Sequence, residues 1–130
     1  MDTITDVTTA QPLSHQKAMH LQTTELGRTL ELLRSLDEAD WTAQTECPDW
    51  DVRRMYLHVL GACEAAASMR ENGHQMLKAK RHQKTAGGPL EAGLSTVQVR
   101  ERLELTSSDL VERLTTIAPA TVRKRSTMPA

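Results

Sequence analysis

The stretch TECPDWDVRRMYLHVLGACEAAA at residues 45–67 combines a turn, a helix start and a histidine two turns into that helix. Pro48 disfavours helical geometry in the residue before it, so the chain is expected to turn there. Asp51 has the side chain that caps helices by accepting a hydrogen bond from the first turn. From Val52 onward, apolar residues recur at steps of three and four, which is the helical period. The stretch therefore predicts an amphipathic helix that begins at residue 49 or 51 and carries His58 beside its apolar face.

Two further segments show the same helical period. Ser14 is a good cap for the earlier one, in which leucines fall on one face. In the later one, Ser95 and Gln98 have the spacing of a capping box, and Pro119 follows where a helix should stop. The sequence thus predicts three helices, at residues 14–36, 51–80 and 95–117.

The composition favours an all-α domain. The chain has 130 residues, its only aromatic residues are Trp41, Trp50 and Tyr56, and the core must be built from Leu, Val, Met and Ala. Two cysteines sixteen positions apart cannot form a dense disulfide framework, and there is no apolar span of about 20 residues that could cross a membrane. We therefore expect a cytoplasmic protein without a membrane partner.

The charge pattern gives no support for nucleic-acid binding. The formal net charge is -1, which removes any attraction of the whole domain to phosphate backbones or anionic lipid. Two basic runs lack interleaved aromatic residues and are typical of solvated helix ends. They are Lys78, Lys80, Arg81, His82 and Lys84, and Arg123, Lys124 and Arg125.

His58 has two possible roles. A neutral imidazole beside the apolar face of a helix is a good ligand for a divalent metal. The alternative is a half-buried histidine held by a backbone carbonyl or by an acid such as Glu64, and the spacing favours it because no H-x-x-x-H or E-x-x-H partner is present. Cys63 is expected to be a buried structural residue and Cys47 a loop-packing residue.

The segment LDEADWTAQTECPDWDVRRMYLHVLGACEA at residues 36–65 resembles the signature of the mycothiol-dependent maleylpyruvate isomerase family, within the DinB-like superfamily. In this signature a tryptophan loop leads through T-x-C-x-x-W-x-V into the second helix and its histidine. Asp49 departs from it, because glycine is common there. The matching residues are Trp41, Thr45, Cys47, Pro48, Trp50, Val52 and His58.

The resemblance implies a bundle that holds a divalent metal, usually zinc, through the second-helix histidine and through an acid and a histidine of a later helix. His58 would be the first ligand. The metal would bind the thiol of mycothiol as a cosubstrate and favour its thiolate, which could attack an electrophilic small-molecule substrate in an isomerase or transferase reaction. After Ile117 the chain has no histidine and no acid, so the later ligands are absent. The other histidines match no ligand position, and they are His15, His20, His74 and His82.

The expected architecture is an up-and-down bundle of DinB-like type with three helices present and the fourth missing. It divides into a flexible tail at residues 1–13, an incomplete bundle at 14–118 and a C-terminal tail at 119–130. The chain is then the front portion of a family member cut before its last helix, which we favour, or a shortened homologue that has lost catalysis. In a different functional class, it would be a non-catalytic helical interaction module. Its open apolar groove, between the first and third helices, could then form a homo-oligomer.

Overall fold

The computed structural model describes residues 11–127, and these residues form six helices and no strand. The predicted all-α class is therefore confirmed. The predicted tails lie partly outside the described residues, at 1–10 and 128–130. No described helix combines the length and apolar character needed to cross a membrane. The helices are α1 (His15–Ser35), α2 (Glu38–Trp41), α3 (Val52–Ala67), α4 (Met69–Ala86), α5 (Leu90–Arg100) and α6 (Ser107–Ser126).

The first two predicted helix starts are correct. The Ser14 hydroxyl accepts from the backbone N–H of Lys17 at 3.2 Å, and the Asp51 carboxylate accepts from the backbone N–H of Arg54 at 2.8 Å. Each side chain satisfies a donor that has no partner within its helix. No helix was predicted between residues 36 and 51, but this segment contains the single helical turn α2, capped by Asp37.

The prediction of three helices is wrong, first because the helix expected at residues 51–80 is broken at Ser68. This residue has extended backbone angles, φ -140° and ψ 119°, and it ends α3 and caps α4 by accepting from the backbone N–H of Glu71 at 3.2 Å. A serine cap thus starts a new helix in the middle of a run of good helix formers. Gly73 lies inside α4 and does not end a helix.

The helix expected at residues 95–117 is also two helices. The first, α5, begins at Leu90, so Ser95 is in its interior and does not form the predicted capping box with Gln98. The second, α6, begins with a different capping box, in which Thr106 and Asp109 each accept from the other's backbone N–H, at 3.0 and 3.2 Å. This reciprocal pair gives α6 its own start and separates it from α5.

The predicted helix end before Pro119 is wrong as well, because α6 continues through this proline to Ser126. Proline removes one backbone donor and crowds the preceding turn, which usually ends or bends a helix. Here the helix continues against α3, since Ala118 and Thr121 are buried and the Thr121 hydroxyl donates to the carbonyl of Cys63 at 2.9 Å. Tertiary packing therefore outweighs the local effect of the proline.

The core lies where α3 packs against α5 and α6, and α1, which packs against α6, contributes Leu30 and Leu33 to it. Leu57, Leu60 and Leu110 are completely buried in it. Met69 continues the apolar spacing that begins at Val52, but it is 83% exposed. Several helices cover α3, so the face that contacts them, rather than the most regular apolar stripe, is the buried one.

Gly61 allows α3 and α5 to come together. A Cβ atom at this position would lie 2.7 Å from Cβ and 2.8 Å from Cγ of Gln98. These atoms are close to the α5 backbone and cannot swing away as the end of a long side chain could. The distance between the two helices therefore depends on the absence of a side chain at Gly61.

We predict that Gly61→Ala lowers the free energy of unfolding by about 1–3 kcal/mol, because overpacking outweighs the better helix propensity of alanine. Gly73→Ala is the matched control, since Gly73 also lies inside a helix but has no atom within 4 Å of an added Cβ. The control should be neutral or stabilising by up to about 1 kcal/mol. Urea denaturation measures both variants, and a Gly61→Ala chain as stable as the control would contradict the packing argument.

Candidate functional site

The loop before α3 is closed by its own hydrogen bonds. The Thr45 hydroxyl donates to the Trp50 carbonyl at 2.7 Å and accepts from the backbone N–H of Cys47 at 3.1 Å. The backbone N–H of Trp50 donates to the Cys47 carbonyl at 3.2 Å. The threonine, cysteine and tryptophan of the signature are thus joined in one tight turn, which delivers Trp50 to the start of α3.

Trp50 lies against His58. The two ring centroids are 5.2 Å apart and the rings are tilted by 33°. Nδ1 of the same ring is 2.6 Å from Oε1 of Gln98 on α5. The imidazole is half-buried, and Nε2 has no hydrogen-bond partner among residues 11–127. Since the described residues contain no fully buried side-chain nitrogen or oxygen without a partner, Nε2 keeps some contact with solvent.

Behind His58 lies a buried pair of glutamines, Gln98 on α5 and Gln75 on α4, which are 2% and 0% exposed. Nε2 of Gln98 donates to Oε1 of Gln75 at 2.9 Å, and Nε2 of Gln75 donates to the carbonyl of Gly61 at 2.9 Å. These bonds join α3, α4 and α5. They also satisfy amide groups that would be costly to bury without partners.

Arg102 extends this pair into a charged cluster. Its guanidinium is buried and donates to Glu64 at 2.8 Å, to Glu71 at 3.0 Å and to the backbone carbonyl of Gln98 at 3.1 Å. Glu64 also accepts from Arg113 of α6 at 2.5 Å. Each buried charge in the cluster has an opposite charge beside it, as burial requires.

The pKa of Glu71 is lowered. Burial by itself raises it, but hydrogen bonds from Gln75 and Arg102, together with the charges of Arg102 and His74, outweigh the burial. Glu71 is therefore a carboxylate at neutral pH and can only accept hydrogen bonds.

The described residues do not provide a complete metal site. No group of three His, Cys, Asp or Glu side chains converges anywhere in residues 11–127. Of the other histidines, His15 contacts the carbonyl of Ser126 at 3.2 Å and His74 pairs with Glu101 at 2.8 Å, so both are used elsewhere. His58 is half-buried, as the non-metal alternative expected. Its partner, however, is a glutamine rather than a backbone carbonyl or Glu64.

The family model described as "Mycothiol maleylpyruvate isomerase N-terminal domain" matches residues 23–130. The chain belongs to this family. The match confirms the resemblance carried by residues 36–65 and agrees with a DinB-like all-α fold. No curated protein and no solved structure is significantly similar to the chain.

Neither cysteine of this family member forms a hydrogen bond with His58 within residues 11–127, where the polar contact of its ring is Gln98. Cys63 is half-buried against the core, and burial raises the pKa of its thiol, while hydrogen bonding to Thr121 offsets only part of that effect. It remains a protonated thiol at neutral pH, in keeping with the structural role expected for it. Cys47 is half-buried in the loop, where its backbone carbonyl accepts from Gln44 at 2.7 Å.

The residues around His58 from α4 and α5 were not predicted from the sequence. Gln75 was part of a helical run without an assigned role, Gln98 was assigned to a capping box, and Arg102 was not considered. One signal was present, since Gln98 lies between Val97 and Val99 in an apolar part of the chain. A polar residue there indicates a buried hydrogen bond, but its partners depend on how the helices pack.

We predict that Glu71 stabilises the fold at neutral pH and that this contribution is lost in acid. A carboxyl group with a lowered pKa in the folded state stabilises above its unfolded pKa, about 4.3, and loses the effect as the pH falls through its folded pKa. Glu71→Gln should therefore reduce the loss of stability between neutral pH and about pH 3.

The measurement is urea denaturation at a series of pH values. Glu104→Gln is the control, because Glu104 is exposed and its carboxylate makes no hydrogen bond within residues 11–127. If the acid sensitivity of Glu71→Gln equalled that of the control, the charged cluster would not contribute as described.

Proposed function

We propose that this chain is a mycothiol-dependent domain of isomerase or transferase type, acting on a small-molecule thiol and an electrophilic substrate. His58 is its candidate metal ligand. The observation that carries the proposal is the way His58 is held: Trp50 lies against the ring and Gln98 binds Nδ1, while Nε2 has no partner within residues 11–127 and is not fully buried. Family membership supports the link to mycothiol.

The metal site is incomplete in the described part of the chain. Catalytic zinc sites normally have three protein ligands, and His58 offers one. The described residues by themselves therefore do not fit zinc. In this proposal the remaining ligands come from outside residues 11–127, and His58 is the part of the site that this bundle supplies.

The residues around His58 have defined tasks in the proposal. Trp50 covers one side of the imidazole and limits the access of water, and its position depends on the Thr45 turn. Gln98 restrains the rotation of the ring, because a metal ligand needs a partner that orients it. Both cysteines are free thiols, which suits the reducing cytoplasm in which we place the protein.

We predict that the 130-residue chain does not bind zinc tightly and stoichiometrically, and that zinc and mycothiol added together perturb the surroundings of His58. Equilibrium dialysis measures the zinc affinity. Amide spectra of the ¹⁵N-labelled chain, recorded as zinc and then mycothiol are added, locate the binding. The largest changes are expected at Trp50 and in the first two turns of α3.

His58→Ala should abolish these changes, whereas His20→Ala is the matched control, because His20 is an exposed histidine on α1. Tight zinc binding that depends on His58 would show that the site is complete in this chain and would overturn the partial-site proposal. Changes that are unaffected by His58→Ala, or that lie away from α3, would overturn the assignment of the site.

A second candidate function is the helical interaction module, and the observation that favours it is an apolar groove between α1 and α6. Leu26, Gly27 and Leu30 line it on one side, and Pro119 and Val122 on the other. Apolar grooves between helices are typical docking places for a further helix. In this candidate the occupant is a second copy of the chain.

We predict on this second candidate that the chain dimerises and that Gly27→Glu abolishes the dimer by placing a charge in the groove. Gly73→Glu is the control, since both glycines lie inside helices with open space around them. Sedimentation velocity over a range of concentrations measures the association. A chain that remains monomeric at all concentrations removes the interaction module as a candidate.

A further inference from the structure

Three side-chain hydrogen bonds form a continuous series from the backbone of α3 to His58, which we call the relay. The relay runs from the Gly61 carbonyl to Gln75, from Gln75 to Gln98 and from Gln98 to Nδ1 of His58, with donor–acceptor distances of 2.9, 2.9 and 2.6 Å. It therefore leaves α3, passes through α4 and α5, and returns to α3.

Which group donates and which accepts along the relay is fixed at Gln75. Its amide nitrogen faces two groups, the carbonyl of Gly61 at 2.9 Å and the carboxylate of Glu71 at 3.0 Å. A carbonyl and an ionised carboxylate only accept hydrogen bonds, so Gln75 must present its NH₂ group to them. The opposite orientation would bring its oxygen against two other oxygens at a position where Gln75 is completely buried.

The orientation of Gln75 determines the orientation of Gln98 and, through it, the position of the hydrogen on His58. With its NH₂ group committed, Gln75 presents Oε1 to Gln98, and Gln98 must donate to it with Nε2. Gln98 is left with Oε1 towards His58, and this oxygen can only accept. The hydrogen between them must therefore come from Nδ1 of His58.

A neutral imidazole carries one N–H group, so an N–H at Nδ1 leaves Nε2 with a lone pair. We propose that Gln75 and Gln98 are positioning residues that lock neutral His58 in the tautomer with hydrogen on Nδ1 and leave the lone pair on Nε2 free. The use of that lone pair by a metal rests on the function proposed above. The assignment of the tautomer does not depend on that function.

Gln75 does not contact His58 in this arrangement, and it acts through Gln98. A residue that only filled space in the core would not influence which nitrogen of a distant ring carries hydrogen. The tautomer of His58 is therefore the readout that separates positioning from packing.

The test is a long-range ¹H–¹⁵N correlation spectrum of the ¹⁵N-labelled full chain, recorded with a metal chelator at about pH 8, where histidines are largely neutral. The spectrum shows which ring nitrogen carries hydrogen. His58 is expected in the Nδ1–H form. His20 gives the reference for an unrestrained ring, since it is exposed and its ring has no hydrogen bond within residues 11–127.

Two variants test the relay. Gln98→Met removes the acceptor for Nδ1–H, and Gln75→Met removes the group that orients Gln98, so both should shift the His58 signals towards those of His20. Gln83→Met is the control, because Gln83 is an exposed glutamine of α4 whose amide donates only to the carbonyl of Gly88. It should leave the His58 signals unchanged. Circular dichroism establishes that each variant is folded.

His58 in the Nε2–H form in the unaltered chain would overturn the proposal, even if neither variant folded. A folded Gln75→Met chain with unchanged His58 signals would also overturn it. These outcomes are separate from those of the zinc experiment. A locked tautomer without any effect of zinc or mycothiol at His58 would refute the proposed function alone, whereas a joint effect of zinc and mycothiol at a His58 in the Nε2–H form would refute the relay alone.

Discussion

The contact between α3 and α5 at Gly61 is the constraint on which the rest of this structure depends. Because Gly61 has no side chain, Gln98 can lie directly against the α3 backbone. From there it reaches both His58 on α3 and Gln75 on α4. One missing side chain thus permits the hydrogen bonds that connect three helices and hold the candidate ligand.

The buried polar residues Gln75, Gln98 and Arg102 favour one packing arrangement of the helices over others. Apolar side chains pack in many arrangements of similar energy, but a buried amide or guanidinium is stable only where its particular partners are present. Arg102 illustrates this, since it needs Glu64 of α3 and Glu71 of α4 simultaneously. An alternative packing of α4 or α5 would leave these charges unpaired, so the same cluster that orients the site also selects the fold.

The prediction of the fold from sequence succeeded where the signals are local. The caps Ser14 and Asp51 are correct because a short side chain satisfies a backbone donor three residues away, whatever surrounds it. The helix breaks at Ser68 and Thr106 rest on the same type of bond. They were missed because regular apolar spacing was followed across them, although both serine and threonine caps can be found by inspection of the sequence.

The sequence by itself determined the helical class, the family signature from Trp41 to His58 and the identity of the candidate ligand. Only the tertiary structure decided what surrounds His58. Gln75 and Gln98 lie 17 and 40 positions after it, and no rule of spacing brings them together. Their contact follows from the burial of apolar faces on α3, α4 and α5, and hydrogen bonds between separate helices form only after that packing has fixed their distance and direction.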